Sequence, residues 1–442
     1  MQQKLKIRSR QDIVPLEKAI LGQYYFPLQD YLGFDEKLAM LFQSLPLRLS
    51  RSSPQPEISF FLYSKACERL LIPLLLHLAE SGILEKNGIK LNLVVLPGIH
   101  QLQLVPQTLE KLSSLGITPQ ANYLSLIRAC LSPQNKGVVF CLDHRELYEF
   151  HRCGVDTADQ LRKFGVKTLS IQHGGTRKDS VKGLASTVSD LIMVWGKRVE
   201  RELVQDYGVD PQRIRVVGNP LHDVLNTLDP EAALTTLQKC YPQVQPQLPH
   251  KKIVVLAACL HTEYQGYGDE AQLYRQYIQH IYESLDFSKV LLLIKMHPND
   301  QRNPNLYQQA AQEFADLDSV VVIEPEVTEL SVYALLSIAD LLLTRSSTVA
   351  EEALMMGKQV VAFDLFEDGP SKGYKHLEEY GVYQTVYADP KPALKTEIER
   401  MLLDRDSDHS TTIDLAAEFT YALDGQSTQR AVDEIVQRLS VR

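Results

Sequence analysis

Short, nearly unbroken apolar runs recur along this chain, each parted from the next by a stretch of helix length, and that alternation is the strongest limit on its fold. In the first half "ISFFLYS", "LNLVVLP", "GVVFCLD", "KTLSIQHGG", "DLIMVWG" and "IRVVGNP" follow one another in this way. In the second half the series is "KKIVVLAAC", "KVLLLIKMHPND", "SVVVIEPE", "DLLLTRSS" and "QVVAFDL". Strands without polar alternation are covered on both faces, which predicts parallel sheets sandwiched between helices. Between the two series, residues 241–250 read "YPQVQPQLPH", with three prolines and no apolar period, and are expected to be the linker. Two doubly wound domains facing a central cleft are therefore predicted.

The length agrees, because 442 residues exceed what one hydrophobic core usually supports. A composition 44% hydrophobic and 23% charged is that of a globular chain. With 46 basic against 55 acidic residues and no long basic run, a nucleic-acid partner is not expected. The six cysteines form no Cys-x-x-Cys pair, so buried reduced thiols and a cytoplasmic setting are expected. The basic start "MQQKLKIRSR" lacks the apolar core of a signal peptide. The most apolar region, from Ile58 to Leu84, is broken by Lys65, Glu68, Arg69, His77 and Glu80, so it is no membrane span. Peripheral attachment at the inner membrane face stays open, for lipid-linked acceptors.

Polar clusters stand at the carboxyl ends of the apolar runs, where open α/β sheets bind ligands. "LLLTRSSTVAEEALMMG" places Arg345, Ser346, Ser347 and Thr348 in the turn between a strand and a helix that Gly357 ends. Free N–H groups and the helix dipole favour a phosphate there, with Arg345 adding charge. The same residues also fit a capping box, Thr348 with Glu351. That box would leave Glu352 to accept hydrogen bonds from a ribose. "LLLIKMHPND" ends in Lys295 and His297, and His297 can donate to a leaving phosphate or serve structure alone. In "SIQHGGTRKD", Gln172, His173, Gly174, Gly175 and Arg177 suit close approach to an acceptor, or a plain tight turn. Asp143, after "GVVFCL", is a candidate base for an acceptor hydroxyl or an N-cap. Asn219 and Pro220 read as a helix start. No metal site is assigned to the Asp-x-Asp tripeptides at 316–318 and 404–406. Dinucleotide, Walker and nucleophile-elbow motifs do not occur.

Taken in order, "SIQHGG", "SDLIMVWGKRVERELVQDYGVDPQRIRVVGNPLHD", "KMHPN", "ADLLLTRSSTVAEEALMMGKQVV" and "DGQSTQRAVDEI" resemble the GT-B superfamily. The likeness is to bacterial surface and capsular polysaccharide glycosyltransferases, bacterial sialyltransferases, CDP-glycerol glycerophosphotransferases and UDP-N-acetylglucosamine 2-epimerases. It implies a Rossmann-like acceptor domain at 57–240, a nucleotide-donor domain at 251–425, an N-terminal extension at 1–56 and a C-terminal helix at 426–442. It implies that His297 and Ser346 to Thr348 contact the donor phosphates and Glu352 the ribose. The expected activity is metal-independent transfer of a sugar from a nucleotide donor to a glycan or lipid-linked acceptor, without a cofactor, with Asp143 or His173 serving the acceptor. The alternatives are a 2-epimerase-like isomerase, a polyol-phosphate transferase and a non-catalytic nucleotide-sugar-binding protein. Epimerases carry Gly-Thr-Arg-Pro-Glu after their first strand and a His-Val-Glu-Ala-Gly segment, where this chain has "YSKACERL" and "QHGGTRK".

Overall fold

The computed structural model describes residues 55–62, 65–95, 104–119, 135–141, 158, 161–162, 165–258, 267–297, 305–314, 316–389, 393–403 and 414–439. Asp143, Pro298, Asn299 and nearly all of the expected 1–56 extension lie outside the described residues. The chain divides into two compact units, one of residues 1–174, 179–223 and 420–442, the other of 175–178 and 224–419.

The first unit holds a six-stranded parallel sheet in the order β2-β1-β3-β4-β5-β6. Its strands are β1 (Glu57–Leu62), β2 (Lys90–Val95), β3 (Asn135–Cys141), β4 (Lys167–Ile171), β5 (Leu191–Val194) and β6 (Ile214–Val216). The apolar runs form these strands because both faces are covered: Phe60, Phe61, Val139, Phe140, Leu169, Ile171 and Met193 are all buried. Phe61 meets Phe140 edge to face at 5.5 Å. One face receives helix α1 (Lys65–Glu80) and the C-terminal helix α2 (Ser427–Leu439), whose Ala431, Val432, Ile435 and Leu439 join the same core.

The expected separate helix at 426–442 is thus part of the first unit. Its start is fixed by the carboxylate of Asp223, which accepts from the N–H groups of Ser427 (2.7 Å) and Thr428 (2.8 Å). This satisfies two of the donors that every helix start leaves open. The turn opposite is Gly218, with a left-handed φ of +91°. A Cβ there would run into the Ser427 side chain and lie 2.7 Å from the Thr420 carbonyl. Only glycine suits both the conformation and the contact.

The second unit holds β7 (Lys252–Ala258), β8 (Val290–Met296), β9 (Val320–Ile323), β10 (Leu341–Thr344), β11 (Gln359–Asp364) and β12 (Tyr383–Tyr387), ordered β12-β11-β10-β7-β8-β9 and all parallel. Counted within the unit this is the order 3-2-1-4-5-6 of a doubly wound sheet, whose switch point lies between β7 and β10. β12 is not among the strands read from the sequence, since "VYQTVY" alternates polar and apolar residues as an edge strand does.

The expected linker is corrected. Residues 241–250 lie inside the second unit, and the chain changes unit after Asp223 and again before Thr420. The prolines impose a short 3-10 turn, Pro242–Val244, which buries Val244 completely. Gln247 and Lys251 then bond to Asp318 and Ser319. Proline excluded a regular helix there without excluding a packed turn. Among the described cysteines Cys67 and Cys141 are buried thiols and Cys240 is exposed. No helix among the described residues is long and apolar enough to cross a membrane.

Gly218→Ala should lower stability by about 1–3 kcal/mol, the cost of holding a side chain in a disfavoured backbone region, plus the clash with Ser427. Urea unfolding of the variant checks this, and an unchanged midpoint would contradict it.

Candidate functional site

The carboxyl edge of the second sheet gathers several of the singled-out residues, and strand register says how. Leu343 of β10 pairs with Leu256 of β7, and Leu256 pairs with Ile294 of β8. The turn holding Ser346 and His297 therefore follow the carboxyl ends of two strands that lie two strand spacings, about 10 Å, apart. Both flank the switch point.

The residues of the 345–348 turn do different things. Arg345 continues the face of Leu343, which packs into the core with Tyr277 and Phe363. It is 2% exposed, and its guanidinium lies over the Tyr277 ring at 5.6 Å. A cation held over an aromatic face is worth about 0.5–2 kcal/mol. Ser346 is 8% exposed, and its hydroxyl has no hydrogen-bond partner among the described residues. Ser347 accepts from the N–H of Val349 at 3.3 Å.

The expected capping box does not form. Thr348 has helical backbone angles and makes no side-chain cap, and the N–H of Glu351 reaches only the Thr348 carbonyl. The following helix, α3 (Val349–Met355), has seven residues, so dipole alignment adds little there. Glu351 is instead engaged elsewhere. Its Oε1 accepts from the backbone N–H of Thr176 (2.6 Å) and from the Thr176 hydroxyl (2.8 Å). Thr176 Oγ1 in turn lies 2.8 Å from His376 Nε2.

Residues 175–178 belong to the second unit, and glycines admit them. A Cβ on Gly175 would lie 2.7 Å from Glu351 Oε2, and one on Gly373 would lie 2.8 Å from Arg177 Cγ. Glu351 and Thr176 are 1% and 2% exposed. Burial, with Glu351 adding to it, holds the Tyr374 phenol well above its ordinary value, while Arg177 opposes. Thr176, His376 and Tyr374 were missed in the sequence because their partners are far away along the chain.

The other candidates are placed as follows. Glu352 is buried, and one oxygen accepts from the Tyr333 hydroxyl at 2.9 Å. Lys295 turns to the loop after β9, donating to the carbonyls of Glu324 (2.8 Å) and Val327 (3.0 Å). Burial lowers its pKa, with Glu326 opposing. In the first unit, Gln172 spends its amide on the Gly174 carbonyl and the Trp195 N–H, so it braces the β4 and β5 ends. His173 is half-buried after β4. Among the described residues no three His, Cys, Asp or Glu side chains group as metal ligands would.

Residues 170–367 match the family model of UDP-N-acetylglucosamine 2-epimerase, a span from β4 to just beyond β11. No curated protein matches the chain in sequence. Among solved structures, the S. aureus MnaA–UDP co-structure superposes with a TM-score of 0.57 at 15% identity, covering 88% of this chain and 98% of that one. The UDP-GlcNAc 2-epimerase from Neisseria meningitidis bound to UDP-GlcNAc gives 0.52 at 14% identity over 86% and 100%. The calicheamicin glycosyltransferase CalG4 gives 0.53 at 13% over 88% and 99%. The chain thus has a two-domain α/β fold of GT-B type, a fold that both epimerases and glycosyltransferases use.

Burial raises the pKa of three phenols in this unit, Tyr282, Tyr374 and Tyr383. Their folded values exceed the unfolded value of about 10, so their contribution is intact below about pH 10 and is lost as pH rises further. Each adds a slope of up to about 1.4 kcal/mol per pH unit. Urea unfolding at pH 9 and pH 11 should show the fall, and Tyr282→Phe should lessen it; stability constant across that range would contradict the assignment.

Proposed function

We propose that this chain is a nucleotide-sugar isomerase of the UDP-N-acetylglucosamine 2-epimerase type, with the nucleoside diphosphate held at the carboxyl edge of the second sheet. The observation that carries this reading is the family match over 170–367, which spans the His297 and Ser346 strand ends and both glutamates. It reverses the preference drawn from the motifs alone, which put sugar transfer first. In this reading the N–H groups of the 346–348 turn, the unpartnered Ser346 hydroxyl and His297 hold the diphosphate, and Glu352 faces the ribose. Oriented donors cost no reorganisation when charge develops on the leaving group, and removing one costs about 10²–10³ in rate.

The chemistry explains why such a seat serves an isomerase. The C2 hydrogen of a 2-acetamido sugar has no adjacent carbonyl to make it acidic. It leaves as a proton once the neighbouring C1–O bond to the diphosphate gives way, and the new C1=C2 bond takes the C–H electron pair. Proton return on the other face, with re-addition of the diphosphate, inverts C2. Expulsion of a nucleoside diphosphate is thus the demanding step for isomerase and transferase alike.

One observation supports the transferase as a second reading. "QHGGTRK" stands where epimerases carry His-Val-Glu-Ala-Gly, and "YSKACERL" replaces their first phosphate-side turn. In that reading the second unit binds the donor, the first unit a glycan or lipid-linked acceptor, and Asp143 or His173 serves the acceptor hydroxyl. Both readings propose a reaction independent of metal.

The deciding experiment incubates the full chain with UDP-GlcNAc in D2O and no acceptor. The expected product is the C2 epimer with deuterium at C2, formed equally with EDTA present. His297→Ala should reduce turnover about 100-fold while the chain stays folded. Donor consumption only when a glycan acceptor is added would replace the isomerase with the transferase, and wild-type turnover by the His297 variant would remove His297 from the site.

A further inference from the structure

The connection from β11 to β12 is a 3-10 helix of eleven residues, Pro370–Tyr380. Such helices seldom run beyond three or four residues, because their hydrogen bonds are poorer than those of an α-helix, and a longer run often marks a hinge or a sequence under strain. Here the sequence and the neighbours both follow the period of three. Ser371, Tyr374, Leu377 and Tyr380 are buried, one on every turn. In an α-helix each step of three residues falls about 60° short of a turn, so the same four positions would spread over about 180°. A second row, Gly373 and His376, meets the segment 175–178. A Cβ on Gly373 would lie 2.8 Å from Arg177 Cγ, and His376 Nε2 lies 2.8 Å from Thr176 Oγ1. All of these residues belong to the second unit.

The helix is also held at both ends. At the carboxyl end Glu378 accepts from the Thr385 N–H of β12 at 3.0 Å, and Tyr380 meets Phe419 edge to face at 5.5 Å. At the amino end the Ser371 N–H donates to the Asp364 carboxylate at 3.0 Å. Between Asp364 and the helix lies a short loop in which Glu367 and Asp368 are exposed. A 3-10 helix rises about 2.0 Å per residue and an α-helix about 1.5 Å, so an α form of the same eleven residues would be about 5 Å shorter. Lys372, Lys375, Leu377, Glu378 and Glu379 are good α-helix formers, so local preference does not account for the longer form. The segment 175–178 does. Its contacts at Gly373 and His376 suit a row three residues apart, and in an α-helix those two positions would turn about 60° away from each other. Glu351 Oε1 fixes the segment by accepting from the N–H and the hydroxyl of Thr176.

We propose that Pro370–Tyr380 is a two-state element, locked in its extended 3-10 form by the segment 175–178 and contracting to an α-helix when that segment is released. Thr176 is the lock and Glu351 its keeper. The carboxyl end is tied to β12 by Glu378, so contraction is taken up at the amino end, where the Ser371 bond to Asp364 opens and the loop after β11 is drawn along the helix axis. That loop leaves the carboxyl edge of the sheet, so the two forms present Glu367 and Asp368 differently there. The lock holds whichever reaction that edge serves.

Hydrogen–deuterium exchange of the full chain without ligand, read by mass spectrometry over 370–381, tests this. Thr176→Val removes the hydroxyl that joins Glu351 to His376. In that variant the helix amides should exchange about tenfold more slowly than in the wild type, because α-helical hydrogen bonds are the better ones, while β10 and β11 keep their wild-type rates. A segment that merely props the helix predicts the opposite, since losing a prop loosens what it supports. Faster or unchanged exchange over 370–381 would therefore overturn the proposal. Thr176→Ser keeps the hydroxyl and should exchange as the wild type does; slowed exchange there would also overturn it. Gly373→Ala leaves the Glu351 bonds in place but sets a methyl group against Arg177, and it should slow the same amides. Should Thr176→Val unfold the chain, Gly373→Ala decides alone, with unchanged or faster exchange counting against the lock.

Discussion

Parallel pairing in register is the constraint on which the second unit depends. Every strand of a parallel sheet delivers its carboxyl end to the same edge, and crossover helices cover both faces so that the edge is where polar groups reach the surface. In this sheet Leu343, Leu256 and Ile294 lie side by side, so the turn after β10 and the histidine after β8 both leave the carboxyl edge of the sheet, on either side of the switch point. A slip of one residue on either strand would turn the apolar row of that strand to the wrong face. Core packing therefore fixes the strand ends that His297 and Ser346 follow.

Two glutamates next to each other in α3 divide their work because successive helical residues point in different directions. Glu351 is bound to Thr176 and Glu352 to Tyr333, and both are buried. A buried carboxylate without partners is costly, so each bond both satisfies the charge and fastens a neighbouring segment. Through Glu351 that segment is 175–178, which also contacts the Pro370–Tyr380 turn by way of Arg177 and His376.

The strands were legible because unbroken apolar runs bounded by turn residues have few other uses, and eleven of the twelve described strands are in the runs quoted from the sequence. The edge strand β12 was not, since its alternating pattern suits several environments. The stretch 241–250 misled because proline signals a break in regular structure without saying whether the break is exposed; Val244 makes it part of a core. The Thr-x-x-Glu spacing at 348–351 describes a local bond, and a competing partner 175 residues away won because it offers two donors to one oxygen. His376 carries no local signature at all, and its relation to Thr176 exists only in three dimensions.

What unites isomerase and transferase readings is the seat for a nucleoside diphosphate, and it is also what a structure of the complex tests most directly. Crystals of the full chain grown with UDP should show diphosphate oxygens about 3 Å from N–H groups of the 346–348 turn and from the Ser346 hydroxyl, on the side of His297. UDP bound away from the carboxyl edge of the second sheet, or with its phosphates out of reach of that turn, would contradict the account.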